Sequence, residues 1–160
     1  MRKLKKKFSK PMKPWEKQRI IDEKILMKEY AYKNKREIWR MKSEISSFRA
    51  FAKKLVSVST SQDVKERDEF LKSMYNKGLI KENAVIDDVL SLTVRDISER
   101  RLQTLIFRKS LARTTSQARQ LITHGRVFIG DRKVTAPSTI VSRSEEALLR
   151  VKSLPTGDTK

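Results

Sequence analysis

The chain has 160 residues, yet it contains no cysteine, one histidine and only four glycines. The lack of cysteine excludes disulfides and thiolate-bound zinc. His124 alone cannot assemble a histidine metal site. No glycine-rich loop is present to cradle a nucleotide phosphate. No apolar run approaches the roughly 18 residues of a membrane span. The basic opening, MRKLKKKFSKPMKPW, is not followed by an apolar segment, so it does not read as a signal peptide. An intracellular, reducing compartment is expected. Acids are also scarce: 19 Asp and Glu stand against 38 Lys and Arg, a net charge of +19. A field of that size attracts polyanions and repels other copies of the chain. Nucleic acid is the leading partner, and an anionic membrane surface is second.

The charge is uneven. Residues 1 to 60 carry 19 cations against 6 acids, residues 61 to 100 carry 7 against 9, and residues 101 to 160 carry 12 against 4. Two basic regions flank a nearly neutral middle, which suits packing surface between binding surfaces. Residues 1 to 14 have neither helical nor strand period and read as a basic extended arm with nothing to pack. The same pattern serves a solubilising tail or an arm that orders on RNA.

Residues 15 to 98 read as a mainly helical domain. Within 16 to 30, Ile21, Ile25, Leu26 and Tyr30 fall near one side. Asn34 and Glu37 suit the cap and third position of a second helix. In that helix Ile38, Met41, Ile45, Phe48, Ala52 and Leu55 recur at spacings of three and four, a narrow seam for packing on neighbouring helices. Arg36, Arg40, Lys42, Arg49 and Lys53 lie off it. SVSTSQD, residues 57 to 63, reads as a linker. A helix to about Lys77 should turn Phe70, Leu71 and Met74 inward and stop at Gly78. AVIDDVLSL adds a short apolar piece, and Thr93 with Asp96 marks another helix start. The acid pairs Asp87–Asp88 and Glu145–Glu146 suit turns or caps, because no catalytic partner accompanies them.

Residues 99 to 144 form the second expected domain, followed by a C-terminal strand or tail over 145 to 160. ERRLQTLIFRKS places Leu102, Leu105 and Ile106 on one helix face and Arg101, Thr104 and Arg108 on another. Thr114 begins a further helix with Gln117 three residues on, a capping-box spacing. Ala118, Leu121 and Ile122 then face inward, opposite Ser116, Arg119, Gln120 and Thr123. Gly125 ends the helix, and RVFI and RKV flank GD, a two-residue hairpin signal. The Thr114 helix start offers N–H groups and positive dipole to a phosphate. Arg101, Arg108, Arg113 and Arg119 can ring it with forked donors, and the Ser, Thr and Gln side chains can reach a 2′-hydroxyl or a base edge. Within residues 101 to 135, eight cations face one acid, which is more than an ordinary solvated surface requires.

RRLQTLIFRKSLARTTSQARQLITHGRVFIGDRKVTAPSTIV resembles the RNA-binding module named after the fourth protein of the small ribosomal subunit. That module also occurs in pseudouridine synthases and tyrosyl-tRNA synthetases. KPWEKQRI, YKNKREIWRMKSEISSFR and AVIDDVLSLTVRDISERRLQT further resemble the archaeal form of that ribosomal protein family. The likeness covers nearly the whole chain, except the first few residues and the tail after about 150. It implies an α+β fold: a helical N-terminal domain, then a helix–helix–β-hairpin module with a short antiparallel sheet. It implies a cytoplasmic, non-enzymatic ribosomal protein with no cofactor, no metal, no small-molecule substrate and no membrane contact. The implied partners are small-subunit rRNA at a junction in its 5′ domain, neighbouring small-subunit proteins, and mRNA where it enters the subunit. The implied roles are nucleating assembly of the subunit body and influencing decoding accuracy.

By motif match the resemblance assigns RNA contact to Arg101, Arg108, Arg113, Thr114, Ser116, Gln117, Arg119, Gln120, His124, Arg126 and Lys133. Lys5, Lys6 and Lys7 of the basic arm join them. Two departures stand out. Ser110 occupies a place where glycine is usual, which bears on the loop shape, and GD replaces the commoner NG at the hairpin. The absent cysteines also remove the zinc knuckle of some bacterial members. Three other readings compete: a ribosome-biogenesis factor of the same architecture, an RNA-modifying enzyme that docks through this module, and a membrane-surface basic protein. No catalytic domain is recognisable, and no strongly amphipathic apolar face favours a membrane.

Overall fold

The structure, a computed structural model, describes residues 6–56 and 61–152. The chain divides between Glu99 and Arg100 into two compact units. The first contains helices α1 (Lys17–Tyr30), α2 (Lys35–Val56), α3 (Ser61–Asn76), α4 (Ile86–Ser91) and α5 (Val94–Glu99). The second contains α6 (Leu102–Arg108), α7 (Thr115–Thr123), strands β1 (Val127–Ile129) and β2 (Arg132–Lys133), α8 (Arg143–Ala147) and β3 (Leu149–Val151). The expected α+β organisation is the one observed.

In the first unit α2 is central, because its seam is long enough to serve several neighbours. Ile38, Met41, Ile45, Ala52 and Leu55 are buried and Phe48 is half-buried. The helix packs against α1, α3, α4 and α5. The five cations read as lying off the seam are exposed. Arg49 also reaches across to donate to the Leu92 carbonyl at 2.7 Å. Gly78 stops α3 as expected: with φ +73°, it lets Leu79 N–H reach back to the Met74 carbonyl at 3.1 Å. The helix nevertheless begins by Ser61, inside the stretch read as a linker. Residues 57–60 lie outside the described residues. The acids cap, as read: Asp88 accepts from Val85 N–H at 2.9 Å, and Asp96 from Thr93 N–H at 2.7 Å.

α1 departs from its sequence reading. Tyr30 is buried and Leu26 half-buried, but Ile21 and Ile25 are 40% and 51% exposed. The helix instead turns Glu23, 0% exposed, toward α2. Glu23 accepts from Arg19 at 2.7 Å and from the Trp39 indole at 3.0 Å, with Lys35 at 3.6 Å and Lys42 at 4.0 Å. A buried carboxylate needs partners of this kind, and the group outweighs the burial of two isoleucines in setting the helix's rotation. Burial alone would push this carboxyl's pKa up. The bonds from Trp39 and Arg19, with the charges of Arg19 and Lys42, overcome that and hold it below the usual carboxylate value.

The described part of the arm is mostly exposed but is anchored on α2 and by Arg19, which corrects the reading of an arm with nothing to pack. Phe8 lies against Trp39 with ring centroids 6.0 Å apart, and Ser9 N–H donates to Ser43 Oγ at 3.0 Å. Arg19 donates to the carbonyls of Lys13 and Pro14 at 3.2 and 2.7 Å.

In the second unit, Leu102, Leu105 and Ile106 of α6 meet Ala118, Leu121 and Ile122 of α7 over Val127, Ile129, Val134, Val141 and Leu149. The strand order is β2-β1-β3, antiparallel throughout, with Ile129 opposite Arg132 across the GD turn and opposite Leu149 on the other side. Gly130 takes φ +59° and Asp131 does not take positive φ, so the hairpin forms with the left-handed residue first. Ser142 and Glu145 cap α8 reciprocally, at 3.3 and 3.0 Å. These bonds to Ser142, its backbone N–H foremost, hold the Glu145 carboxyl below its usual pKa. Ser110 settles the loop question. It adopts φ +58°, the conformation glycine takes freely, and lets Leu111 N–H close on the Ile106 carbonyl at 3.0 Å.

Two outcomes follow. Ser110→Gly should raise stability by about 0.5–1 kcal/mol in thermal or urea unfolding, because relief of left-handed strain exceeds the added chain entropy. An unchanged or lower stability contradicts the assignment. Glu23 has a depressed folded-state pKa, so the stability from its charged form is present above the ordinary value of 4.5 and is lost as pH falls through the folded value. Glu23→Gln should therefore cost about 3 kcal/mol near neutral pH, with the gap to the parent narrowing as unfolding is measured at successively lower pH below 4.5.

Candidate RNA interface

The site is built on nine residues of helix. Thr114 has extended backbone, φ −139° and ψ 156°, and its hydroxyl oxygen accepts from Gln117 N–H at 3.1 Å. The Gln117 side chain answers, but one residue earlier than in a standard capping box: its Oε1 accepts from Arg113 N–H at 2.7 Å. The cap thus fixes the chain direction at Arg113 as well as the helix start. A second tie comes from beneath. Gln103 is buried, and its amide donates to the Thr115 carbonyl at 3.0 Å, joining α6 to the first turn of α7. With Ala118, Leu121 and Ile122 locked in the core, α7 has one way to face.

That outward face carries most of the expected groups. Arg113, Thr114, Ser116, Gln120, Thr123 and His124 are exposed, and Gln117, Arg119 and Arg126 are half-buried. Arg108 emerges on the last turn of α6. Gln117, Gln120, Leu121, His124 and Arg126 line a cleft of about 350 Å³ along the C-terminal half of α7. Its floor is apolar and its walls offer an amide pair, an imidazole and a guanidinium, a mix suited to an unstacked base and its phosphate. Gly125 ends the helix with φ +66°, closed by Arg126 N–H on the Leu121 carbonyl at 3.0 Å. Lys133 lies over it: a Cβ placed on Gly125 would stand 2.0 Å from Lys133 Cε. The hairpin thereby delivers an exposed cation to the end of α7, where the helix dipole favours positive charge.

Arg101 is a correction. It was expected outward beside Thr104 and Arg108, but it is 1% exposed and Thr104 is 3% exposed. Arg101 is the residue that caps α6, and its backbone bridges to Ile140. The seven-residue α6 is covered on nearly every side, from Leu102 to Ile106, so its periodicity does not separate a wet face from a dry one until Arg108. Lys6 and Lys7 are exposed in the first unit; Lys5 lies outside the described residues. Sequence reasoning missed Gln103 and the cleft floor at Leu121. A glutamine inside the apolar run LQTLIF was the available sign of a buried structural amide. Among the described residues, no group of three or more His, Asp or Glu could hold a metal ion, and no helix is long and apolar enough to cross a membrane.

Residues 100–146 match the S4 domain family, and residues 2–99 match the family described as ribosomal protein S4/S9 N-terminal domain. The chain belongs to the uS4 family. It is 49% identical over 148 residues to the small ribosomal subunit protein uS4 of Ignicoccus hospitalis, covering 92% of this chain and 89% of that protein. It is 47% identical to the uS4 of Nanoarchaeum equitans, over 88% of this chain and 79% of that protein. The uS4 of Thermoplasma acidophilum is 46% identical, over 88% and 72%. The uS4 proteins are structural ribosomal proteins rather than enzymes. The α7 surface falls wholly inside the S4-domain match.

Thr114→Ala removes an accepted hydrogen bond at the helix start and should cost about 1 kcal/mol in chemical unfolding. Arg119→Ala should change stability by less than about 1 kcal/mol, since the residue is only half-buried and lies opposite Ala118, Leu121 and Ile122. It should weaken binding to a small-subunit rRNA fragment by about 1–3 kcal/mol. Parent-like binding by the Arg119 variant at moderate salt would contradict the placement of the interface on α7.

Proposed function

We propose that this uS4-family chain is a structural protein of the small ribosomal subunit that binds small-subunit rRNA directly through the α7 surface. The observation that carries this reading is the acid-free outer face of α7, held by the Thr114–Gln117 cap and the Gln103 tie. A phosphate meets the free N–H groups of the first turn and the guanidinium groups of Arg113 and Arg119. The cleft between Gln117 and Arg126 takes a base or ribose edge. Arg108 and Lys133 extend the same positive surface, and Lys5, Lys6 and Lys7 add sequence-independent attraction.

The finer role follows from the family likeness. The chain binds a junction in the 5′ domain, nucleates folding of the subunit body, and later lies among neighbouring small-subunit proteins where mRNA enters and decoding accuracy is set. Its place is the cytoplasmic ribosome. A rigid surface suits an early binder: a helix face already locked by core packing loses little further entropy when RNA arrives.

With about 6 to 10 phosphates neutralised, affinity for the rRNA fragment should fall by about 10³ to 10⁵ between 50 and 200 mM salt, measured by filter binding or anisotropy. A flat salt response contradicts the electrostatic part of the proposal.

A further inference from the structure

Gln103 is buried on α6 in the second unit, and stability does not account for it. The residue is 1% exposed, with Leu102 buried before it and Leu105 and Ile106 buried after it. Its Nε2 donates to the Thr115 carbonyl at 3.0 Å, while its Oε1, also buried, meets no donor among the described residues. The carbonyl gains little from the bond. It opens the α7 ladder, where it already accepts from the N–H of Arg119 four residues on. A buried amide oxygen without a donor costs more than one net hydrogen bond returns. Methionine, unbranched and of the same length, would fill the space and leave no strong polar atom to satisfy. On stability alone, glutamine is the poorer choice.

What the bond supplies is direction. Leu102, Leu105 and Ile106 share one apolar core with Ala118, Leu121 and Ile122. Burial of that kind is non-directional, so a small roll of α7 about its axis keeps most of it. A hydrogen bond weakens steeply as its angle closes. The Thr114 and Gln117 bonds join residues 113–117 to one another and roll with the helix. The Gln103 bond comes from a different helix and does not. Its acceptor is also the carbonyl that holds the Arg119 N–H, so one contact sets both the first turn of α7 and the backbone from which the Arg119 side chain leaves.

We propose that Gln103 is a positioning residue for RNA binding, present at a cost in fold stability. It touches no RNA. It acts through the Thr115 carbonyl, holding the first turn of α7 and Arg119 at the angle the ligand requires. The inference rests on the reading of α7 as the RNA-binding face.

Gln103→Met in the full chain separates stability from binding. Its urea-unfolding midpoint should equal or exceed the parent's. Its affinity for a small-subunit rRNA fragment should fall by about three- to tenfold, the worth of one directed bond. In an Arg119→Ala background the same substitution should weaken binding by less than about twofold, because the side chain it positions is gone. Gln103→Leu is the second variant, with the same expectations, in case methionine packs badly. The proposal is overturned if both variants bind as the parent does, or if both lose urea stability in step with affinity, which marks a packing residue. It is also overturned if the losses from Gln103→Met and Arg119→Ala combine independently. Arg119→Ala alone tells the two readings apart. Weakened binding there, with parent-like binding in both Gln103 variants, removes only the positioning role. Parent-like binding in Arg119→Ala removes the α7 reading and this proposal with it.

Discussion

The bond from the buried Gln103 amide to the Thr115 carbonyl, 3.0 Å long, is the contact on which the proposed interface depends. The first carbonyls of a helix normally bond only along the helix itself. Here one is also held from the neighbouring helix, which fixes the height and rotation of the α7 start. The Thr114 hydroxyl and Gln117 amide then fix the direction from which the chain arrives. Everything RNA would meet on α7 inherits its position from these few bonds and from the three core residues below. A donor set of flexible side chains gains its specificity from such a rigid base.

The same economy of anions organises the first unit. Glu23 is buried with Arg19, Lys35 and Lys42 around it and Trp39 bonded to it. One carboxylate lets several cations crowd together beside an ordered arm. Glu146 plays a comparable part in the second unit, pairing with Arg100 at 2.8 Å and lying 3.9 Å from Lys109. Arg36, Arg40 and Arg113, among other described cations, face solvent, where a polyanion can reach them.

Much of this was legible in the sequence because it is periodic or local. The α2 seam, the Asp88 and Asp96 caps, the Thr114 helix start, the stop at Gly78 and the GD hairpin each depend on residues within a few positions of one another. The errors lie where distant chemistry overrides local pattern. Glu23 turns α1 away from its isoleucines because its partners lie on α2. Arg101 and Thr104 are enclosed because a seven-residue helix is covered on several sides at once. Lys133 reaches the end of α7 only because the hairpin folds it back over Gly125, and the side chain that holds the arm, Arg19, reads in sequence as one more surface charge. Ser110 shows the reverse: the sequence marked an unusual residue, and the backbone kept the geometry with the less suitable side chain.

The central claim, that RNA is bound on the outer face of α7, is tested most directly by amide chemical-shift mapping with a fragment of the small-subunit rRNA 5′ domain. The largest changes within the second unit should fall on Thr115 and Ser116 at the helix start and on Gln120 and His124 beside the cleft, with the buried Ile106 and Val141 amides little moved. If RNA binds tightly while the α7 amides stay unperturbed, RNA is bound elsewhere and the α7 interface is wrong.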